Sequence, residues 1–218
     1  MAITIDKVDD GLPISVIVPL SKKREHFFYN ITLPLIEANN PAEIIINDNP
    51  ERQGKKRNDC LDKATQEYVF FCDDDIILPA NLLENMYNKL EENKYRSNAR
   101  IGYAYCGYKG IVIHAATHPM KGNFDIKSRP FDPVALRRAN YISPMSLFVK
   151  DWLVKFDEEL TRLEDWDLYL TLLDQGIIGV EMPNDMFYAF YLDEGTTSNN
   201  NDERSQIIKI LKKHNVGI

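Results

Sequence analysis

The chain has 218 residues, 44% of them hydrophobic and 27% charged, a balance that suits a globular protein with a full core and excludes a disordered or fibrous one. Its 26 Lys and Arg against 33 Asp and Glu leave a formal net charge of −7, so no general basic face directs it to nucleic acid or to an anionic membrane. Three cysteines form no disulfide framework and no CxxC pair for zinc, no apolar run approaches the roughly 20 residues of a membrane span, and the amino terminus lacks the basic-then-apolar pattern of a signal peptide, so a reducing, cytoplasmic setting is expected.

Along the first 100 residues apolar strand runs alternate with helical patterns, which predicts a parallel α/β sheet. Ile14 to Pro19 reads as a first strand, and a helical stretch from Lys23 to Ala38 must be kinked or divided at Pro34. Glu43 to Ile46 is a second strand, closed by the turn formers Asn47, Asp48, Asn49 and Pro50. Gly54 to Thr65 reads as a helix with Cys60, Leu61 and Ala64 inward. Tyr68 to Cys72 is a third strand, almost continuously apolar as a strand covered on both faces should be. Pro79 then opens a helix in which Leu82, Leu83, Met86, Tyr87 and Leu90 recur at helical spacing.

The second half has a different character. Ile101 to Tyr108 and Ile111 to Ala115 flank Lys109-Gly110 and predict a hairpin. Residues 116 to 140 show no period, and their Lys121, Lys127, Arg129, Arg137 and Arg138 suit either a solvated loop or a face toward an anionic ligand. Ser146 to Val149 suggests a strand, Asp165 to Leu173 a helix stopped by Gly176, and Ile177 to Val180 and Met186 to Tyr191 two short apolar runs. Asp202 is placed to cap a last helix with Ile207, Ile208 and Leu211 inward. One domain spanning 1–218 is expected, its halves of different character over about 12–100 and about 101–218; it can also be one domain of a longer chain.

Asp73, Asp74 and Asp75 follow the third strand directly. Three adjacent carboxylates repel one another, and the usual compensation is a bound cation; hard oxygen ligands suit Mg²⁺ or Mn²⁺, which in turn suit phosphate. A solvated acidic turn is the alternative. In an open α/β sheet ligands lie beyond the carboxyl ends of the strands, where Pro19-Leu20-Ser21, Asp48 and the aspartate triplet would share a crevice. Asp48 there suits a base imide or an Asx turn, and Arg57 a phosphate or an exposed helix position. A second acidic group, Glu164-Asp165-Trp166-Asp167, follows a Thr161-to-Glu164 spacing that matches a capping box, with Glu164 holding the turn and Asp165 pointing into a cleft.

Taken in order, these segments resemble the nucleotide-sugar glycosyltransferases of the GT-A fold, in particular the large inverting family 2. The matching stretches are Ile14 to Pro19, Glu43 to Asn49, Gly54 to Asp75 and Phe156 to Gly176, so the resemblance spans most of the chain. It implies an α/β GT-A fold, a central mixed and mostly parallel sheet flanked by helices, with a nucleotide-binding half over about 12–100 and an acceptor and catalytic half over about 101–218 of one glycosyltransferase domain. It further implies transfer of a sugar from a UDP-sugar donor to a glycan or other hydroxyl acceptor, with Mn²⁺ or Mg²⁺ as cofactor and no nucleic-acid partner. Carried over by position, Asp48 reads the uracil ring with Pro19 lining the base, and Arg57 lies near base or phosphate. Asp73 and Asp74 stand beside the nucleotide, and Asp75, with Asp73, ligates the metal. Asp165 is the general base with Glu164 beside it, and its place at a helix amino terminus is expected to keep it ionised at neutral pH.

Departures from the family pattern are local. The late segment that often carries a metal- or diphosphate-binding histidine reads Tyr188 to Glu194 without one, and Asp193 is the candidate to replace it. His114 and His118 lack the glutamate of a helical zinc motif and read as surface or structural. The other readings are a catalytically inactive nucleotide-sugar-binding module and a phosphatase that uses the first aspartate of D-x-D as nucleophile.

Overall fold

The computed structural model describes residues 3–7, 10–94, 99–113, 122–191 and 203–216. Asp193, Asp202, His114, His118 and Lys121 lie outside the described residues. The elements are β1 (Thr4–Lys7), β2 (Leu12–Pro19), α1 (Glu25–Phe27), α2 (Leu33–Ala38), β3 (Pro41–Asn47), α3 (Gln53–Leu61), β4 (Tyr68–Phe71), β5 (Ile76–Ile77), α4 (Leu82–Asn93), β6 (Arg100–Val112), β7 (Phe124–Ile126), α5 (Pro133–Arg138), β8 (Leu147–Val149), α6 (Glu164–Asp174), β9 (Ile177–Tyr191) and α7 (Glu203–Lys213). They build one mixed sheet in the order β1-β3-β2-β4-β8-β6-β9-β5, with β7 on β6.

The predicted first three strands are parallel neighbours. β2 lies between β3 and β4, with Pro19 beside Asn47 and Ile17 beside Phe71. All three chains therefore leave the sheet at the same edge. β2 and β4 are apolar on both faces because helices cover both: Val16, Val18 and Phe70 join one core with α4, and Ile17, Val69 and Phe71 join the other with α6. Glu43 is an exception inside β3. It is fully buried, and accepts hydrogen bonds from Ser15 Oγ (2.6 Å), Thr65 N (2.9 Å) and Thr65 Oγ1 (3.0 Å), which satisfies its carboxylate.

Several expected elements are corrected. Lys109-Gly110 is no turn: β6 runs through it, with Gly110 paired to Phe124 on one side and to Ala189 on the other. The glycine is there for space, since a Cβ at Gly110 would lie 2.2 Å from Phe124 Cζ. The two apolar runs after Gly176 are one strand, β9, parallel to β6; Pro183 and its neighbours bulge out where the register jumps, between the Cys106–Met182 and Gly107–Met186 pairs. Gly176 stops α6 in the left-handed region, φ +74°, as expected. Pro79 does not open α4, which begins at Leu82 after Asn81 at φ 65°. The predicted capping box is absent: α6 begins at Glu164 after Leu163 at φ 59°, with no side-chain cap. Among the described residues no helix is long and apolar enough to cross a membrane.

The last helix turns its Ile210, not Ile208, to the core, because its register is set by His214. The His214 ring is buried between two carboxylates of α6, Nδ1 at 2.7 Å from Asp174 Oδ2 and Nε2 at 2.9 Å from Asp167 Oδ1, and Lys213 Nζ adds 2.8 Å to Asp167 Oδ2. Ile210 lies one turn before His214 on the same face. His214→Ala should leave the buried Asp167 short of a partner and lower stability by about 1–3 kcal/mol. Urea unfolding checks this, and an unchanged midpoint would show that α7 is held by its apolar face alone.

Candidate functional site

Because β2, β3 and β4 end together, the segments after them meet at one edge. Leu20 N donates to the Asn47 carbonyl (2.9 Å) and Cys72 N to that of Ile17 (2.9 Å), which locks the three exits in register. Beyond them opens a cleft of about 820 Å³, within the usual range for a small-molecule site. Asp73, Asp75 and Arg57 line it from this half of the chain, and Asn140, Glu164 and Asp165 from the other.

The acidic groups at positions 73 and 164 are joined by one side chain. Arg57, on α3 and only 3% exposed, donates from Nη2 to Asp73 Oδ1 (2.8 Å) and from Nη1 to Glu164 Oε1 (2.8 Å), and lies 5.3 Å over the Phe156 ring. Burial works against its charge, but Asp73 and Glu164 outweigh it and hold the guanidinium firmly protonated. Its Nε is buried without a partner. Glu164 therefore turns toward Arg57, where the capping box would have turned it back to its own helix.

Asp75 keeps 19% of its side-chain surface. Burial pushes its carboxyl up to about 7; Arg24, 3.6 Å away, opposes this, and Asp73 and Asp74 add to it. Its backbone is fixed by Phe190 N on β9, which donates to the Asp75 carbonyl (2.9 Å). Asp74 departs from the expected nucleotide-binding role. It is buried and turned away from the cleft, with Oδ2 accepting from Ser21 N (2.6 Å) and Oδ1 from Arg24 Nε (2.6 Å). Asp74 thus clamps the chain after β2, and it brings in Arg24, a cleft residue that sequence reasoning missed.

Pro19 is buried at the end of β2, and neither it nor Asp48 lines the cleft. The Asx turn expected as an alternative for Asp48 is made by Asn47, whose Oδ1 accepts from Asn49 N (3.0 Å). Asp48 Oδ1 is left buried and without a partner, as is Gln53 Oε1 at the start of α3. A buried acceptor without a donor carries a desolvation cost of about 1–3 kcal/mol, which a ligand N–H relieves.

Asp165 sits in the cleft wall at the first turn of α6. Its Oδ2 accepts from Asn140 Nδ2 (2.8 Å) and its Oδ1 from Trp166 N (2.9 Å). The expectation that the helix terminus keeps it ionised at neutral pH is corrected: burial, then repulsion from Glu164, raise its carboxyl to about 7, against the pull of Trp166 N, Arg57 and Asn140. Asn140 carried no signal in the sequence, lying in the aperiodic stretch.

Among the described residues no three His, Cys, Asp or Glu side chains converge as a complete metal site. Asp73 and Asp75 are nonetheless two oxygen donors on one cleft wall, and the raised Asp75 carboxyl marks a place short of positive charge. That donor set fits a hard divalent ion whose remaining positions are filled by phosphate and water.

The model of the family described as Glycosyl transferase family 2 matches residues 29–153. No curated protein sequence matches the chain. Among solved structures, Staphylococcus aureus TarS 1–349 in complex with UDP-GlcNAc superposes with a TM-score of 0.67 at 16% identity, over 94% of this chain and 66% of that one. The same protein in complex with UDP gives 0.59 at 16% identity, over 93% and 70%, and the TarS structure that is not cut at residue 349 gives 0.58 at 18% identity, over 93% and 43%. These likenesses show the fold, and the chain spans about two thirds or less of most of the TarS chains it matches.

The raised Asp75 carboxyl has a consequence for stability. From the ordinary carboxylate value of about 4 up to about 7, the folded chain holds a proton there that the unfolded chain has released, so this group's contribution to stability falls as pH rises through that window. In chelator and without nucleotide, Asp75→Asn should therefore stabilise the protein by about 1–3 kcal/mol near pH 8 and by little near pH 4. Melting curves at the two pH values decide it; a variant less stable at pH 8 would make Asp75 a structural partner instead.

Proposed function

The chain belongs to glycosyl transferase family 2, and from that premise we propose that it transfers a sugar from a UDP-sugar donor to a hydroxyl acceptor, a glycan or glycoconjugate, with inversion at the anomeric carbon. The observation that carries this reading is the meeting of Asp73 and Asp75 with Asp165 in one cleft, where Arg57 joins the exit of β4 to the start of α6. The UDP and UDP-GlcNAc complexes of the similarly folded TarS support UDP as the nucleotide. Asp48 stands outside the cleft lining, and its buried Oδ1, which lacks a donor, would meet the imide N–H of uracil only after turning toward the cleft.

Asp165 is the general base. Its carboxylate takes the acceptor hydroxyl's proton as that oxygen forms a bond to the anomeric carbon and the bond to the diphosphate breaks, so that UDP leaves with the electron pair. A base on the side opposite the leaving group gives the inverted anomer. A carboxyl near pH 7 is well matched to this task, since it is ionised in part before reaction and a sound acid after it. Asp75 and Asp73 would hold a Mg²⁺ or Mn²⁺ ion, which when bound neutralises charge on the leaving diphosphate. Arg57 keeps Asp73 and Glu164 in place, and with its charge already shared between them it positions rather than reacts.

Two measurements test the proposal. Calorimetric titration with UDP should show tighter binding in Mn²⁺ than in chelator, and Asp48→Ala should lose the preference for UDP over GDP and CMP. Equal affinity with and without metal would remove the ion, and an unchanged preference would move base reading away from Asp48. Separately, Asp165→Asn should cut UDP-GlcNAc turnover, measured as UDP release, by roughly 10²–10⁴-fold while UDP affinity stays close to that of the parent. Near-normal turnover, or a product with retained configuration, would overturn the base assignment. UDP binding with no turnover in the parent chain would make it a binding module.

A further inference from the structure

We propose that Asn140 is a positioning residue for Asp165: its carboxamide fixes the orientation of that carboxylate and favours the ionised form that accepts a proton. The inference rests on the reading of Asp165 as the general base. It begins from the hydrogen bonds of the amide itself. Asn140 Nδ2 donates to Asp165 Oδ2 at 2.8 Å, and Asn140 Oδ1 accepts from Ile142 N at 3.2 Å. The second bond settles the first, because a flipped amide would set its oxygen against a carboxylate and its N–H₂ against an N–H. With Trp166 N on Asp165 Oδ1, each oxygen of the base receives one donor, and neither is sealed against a further proton.

The segment that carries Asn140 is built onto α6. Trp166 Nε1 donates to the Leu136 carbonyl on α5 (2.7 Å), and Tyr169 Oη donates to the Ser143 carbonyl (2.6 Å). Asn140 lies between those two anchors and reaches the residue before Trp166. The side chains at 165, 166 and 169 project from the same side of the helix, so residues 136–143 seat along it as a brace. The segment is stiff at its other end too, where Asp132 caps α5 through Val134 N (2.9 Å) and Ala135 N (3.0 Å).

The surroundings give the amide work to do. Glu164, the neighbour of Asp165 on α6, repels its charge; Arg57 from α3 attracts it but is bonded to Asp73 and Glu164; Tyr169, one turn along α6, has its hydroxyl on Ser143. Asn140 is the side chain that donates directly to Asp165. A hydrogen bond given to a carboxylate favours the charged form, so its loss should leave burial and Glu164 opposed only by Arg57 and Trp166 N.

The test is a ¹³C carboxyl NMR titration of the full chain without nucleotide, with the Asp165 resonance identified by its absence in Asp165→Asn. In Asn140→Ala the Asp165 midpoint should rise by roughly one pH unit, and in Asn140→Ser, which keeps a hydroxyl donor in similar space, part of that rise should be recovered. UDP affinity in Mn²⁺, measured beside it, should stay within about twofold, and the acidic limb of UDP-GlcNAc turnover should move with the midpoint. A midpoint that stays in place in Asn140→Ala, or one that rises equally in Ala and Ser, overturns the inference, since a residue that only packs would not distinguish them. If Asp165→Asn keeps normal turnover, the base reading fails even where the midpoint moves. If Asp165→Asn is inactive and the midpoint stays in place, the role of Asn140 fails alone.

Discussion

The Arg57 guanidinium is the interaction on which the site depends. A buried cation without partners would cost several kcal/mol, roughly, and here two carboxylates supply the compensation from positions 16 and 107 residues away. Asp73 hangs from the end of β4 and Glu164 opens α6, so the ion group ties the exit of the sheet to the helix that bears Asp165. A planar fork can meet both acids at 2.8 Å; a lysine, with one compact charge, would leave one of them unpaired inside the wall. Remove the guanidinium and the same wall holds Asp73, Glu164 and Asp165 with no cation between them. The chain must therefore bring three distant segments together before the site is electrostatically tolerable, which makes the geometry of the cleft a property of the whole sheet.

Around that ion group two further carboxyls remain under strain. Asp75 and Asp165 are both pushed up to about 7, mainly by burial and in part by acidic neighbours. In each case the folded chain resists a charge that the proposed reaction needs, and in each case a ligand relieves it: positive charge beside Asp75, the acceptor's proton at Asp165. Stability is given up at the place where chemistry needs groups poised near neutrality. Glu43 shows the contrast. It is as deeply buried as any carboxylate among the described residues, yet Ser15 and Thr65 donate three hydrogen bonds to it and it lies outside the cleft lining.

Much of this was legible in the sequence, for definite reasons. β2 to β4 announce themselves because a strand covered on both faces is apolar at every position, and the acids that follow them stand out against that background. What misled was local chemistry with two uses. Lys109-Gly110 has turn composition, but its glycine makes room for the Phe124 ring inside a long strand. Thr161 and Glu164 have the spacing of a cap, but Arg57 offers Glu164 a stronger partner than a backbone N–H. Ile208 has helical spacing with Ile207 and Leu211, but the His214 contacts rotate α7 to bury Ile210. Asn140 and Arg24 were silent because their importance lies in partners 25 and 50 residues away, and no periodicity reports such a pairing.

The charge balance of the cleft gives the aspartate triplet a division of labour. A diphosphate is strongly anionic, the chain carries −7, and three cations at the strand ends are engaged: Lys56 Nζ on the Leu20 carbonyl at 2.5 Å, Arg57 on two acids, Arg24 on Asp74. Attraction for phosphate then comes from breaking those pairs, from the other cations that line the cleft, such as Arg52, or from positive charge brought in with the ligand. Arg24 stands 3.6 Å from Asp75, where as a lone cation it would repel an incoming ion. Its shorter contact with the buried Asp74, 2.6 Å, divides the guanidinium charge between the two acids, so that Asp75 receives only part of it. The middle aspartate, turned away from the cleft, thereby determines how much negative charge its two neighbours present to whatever binds there.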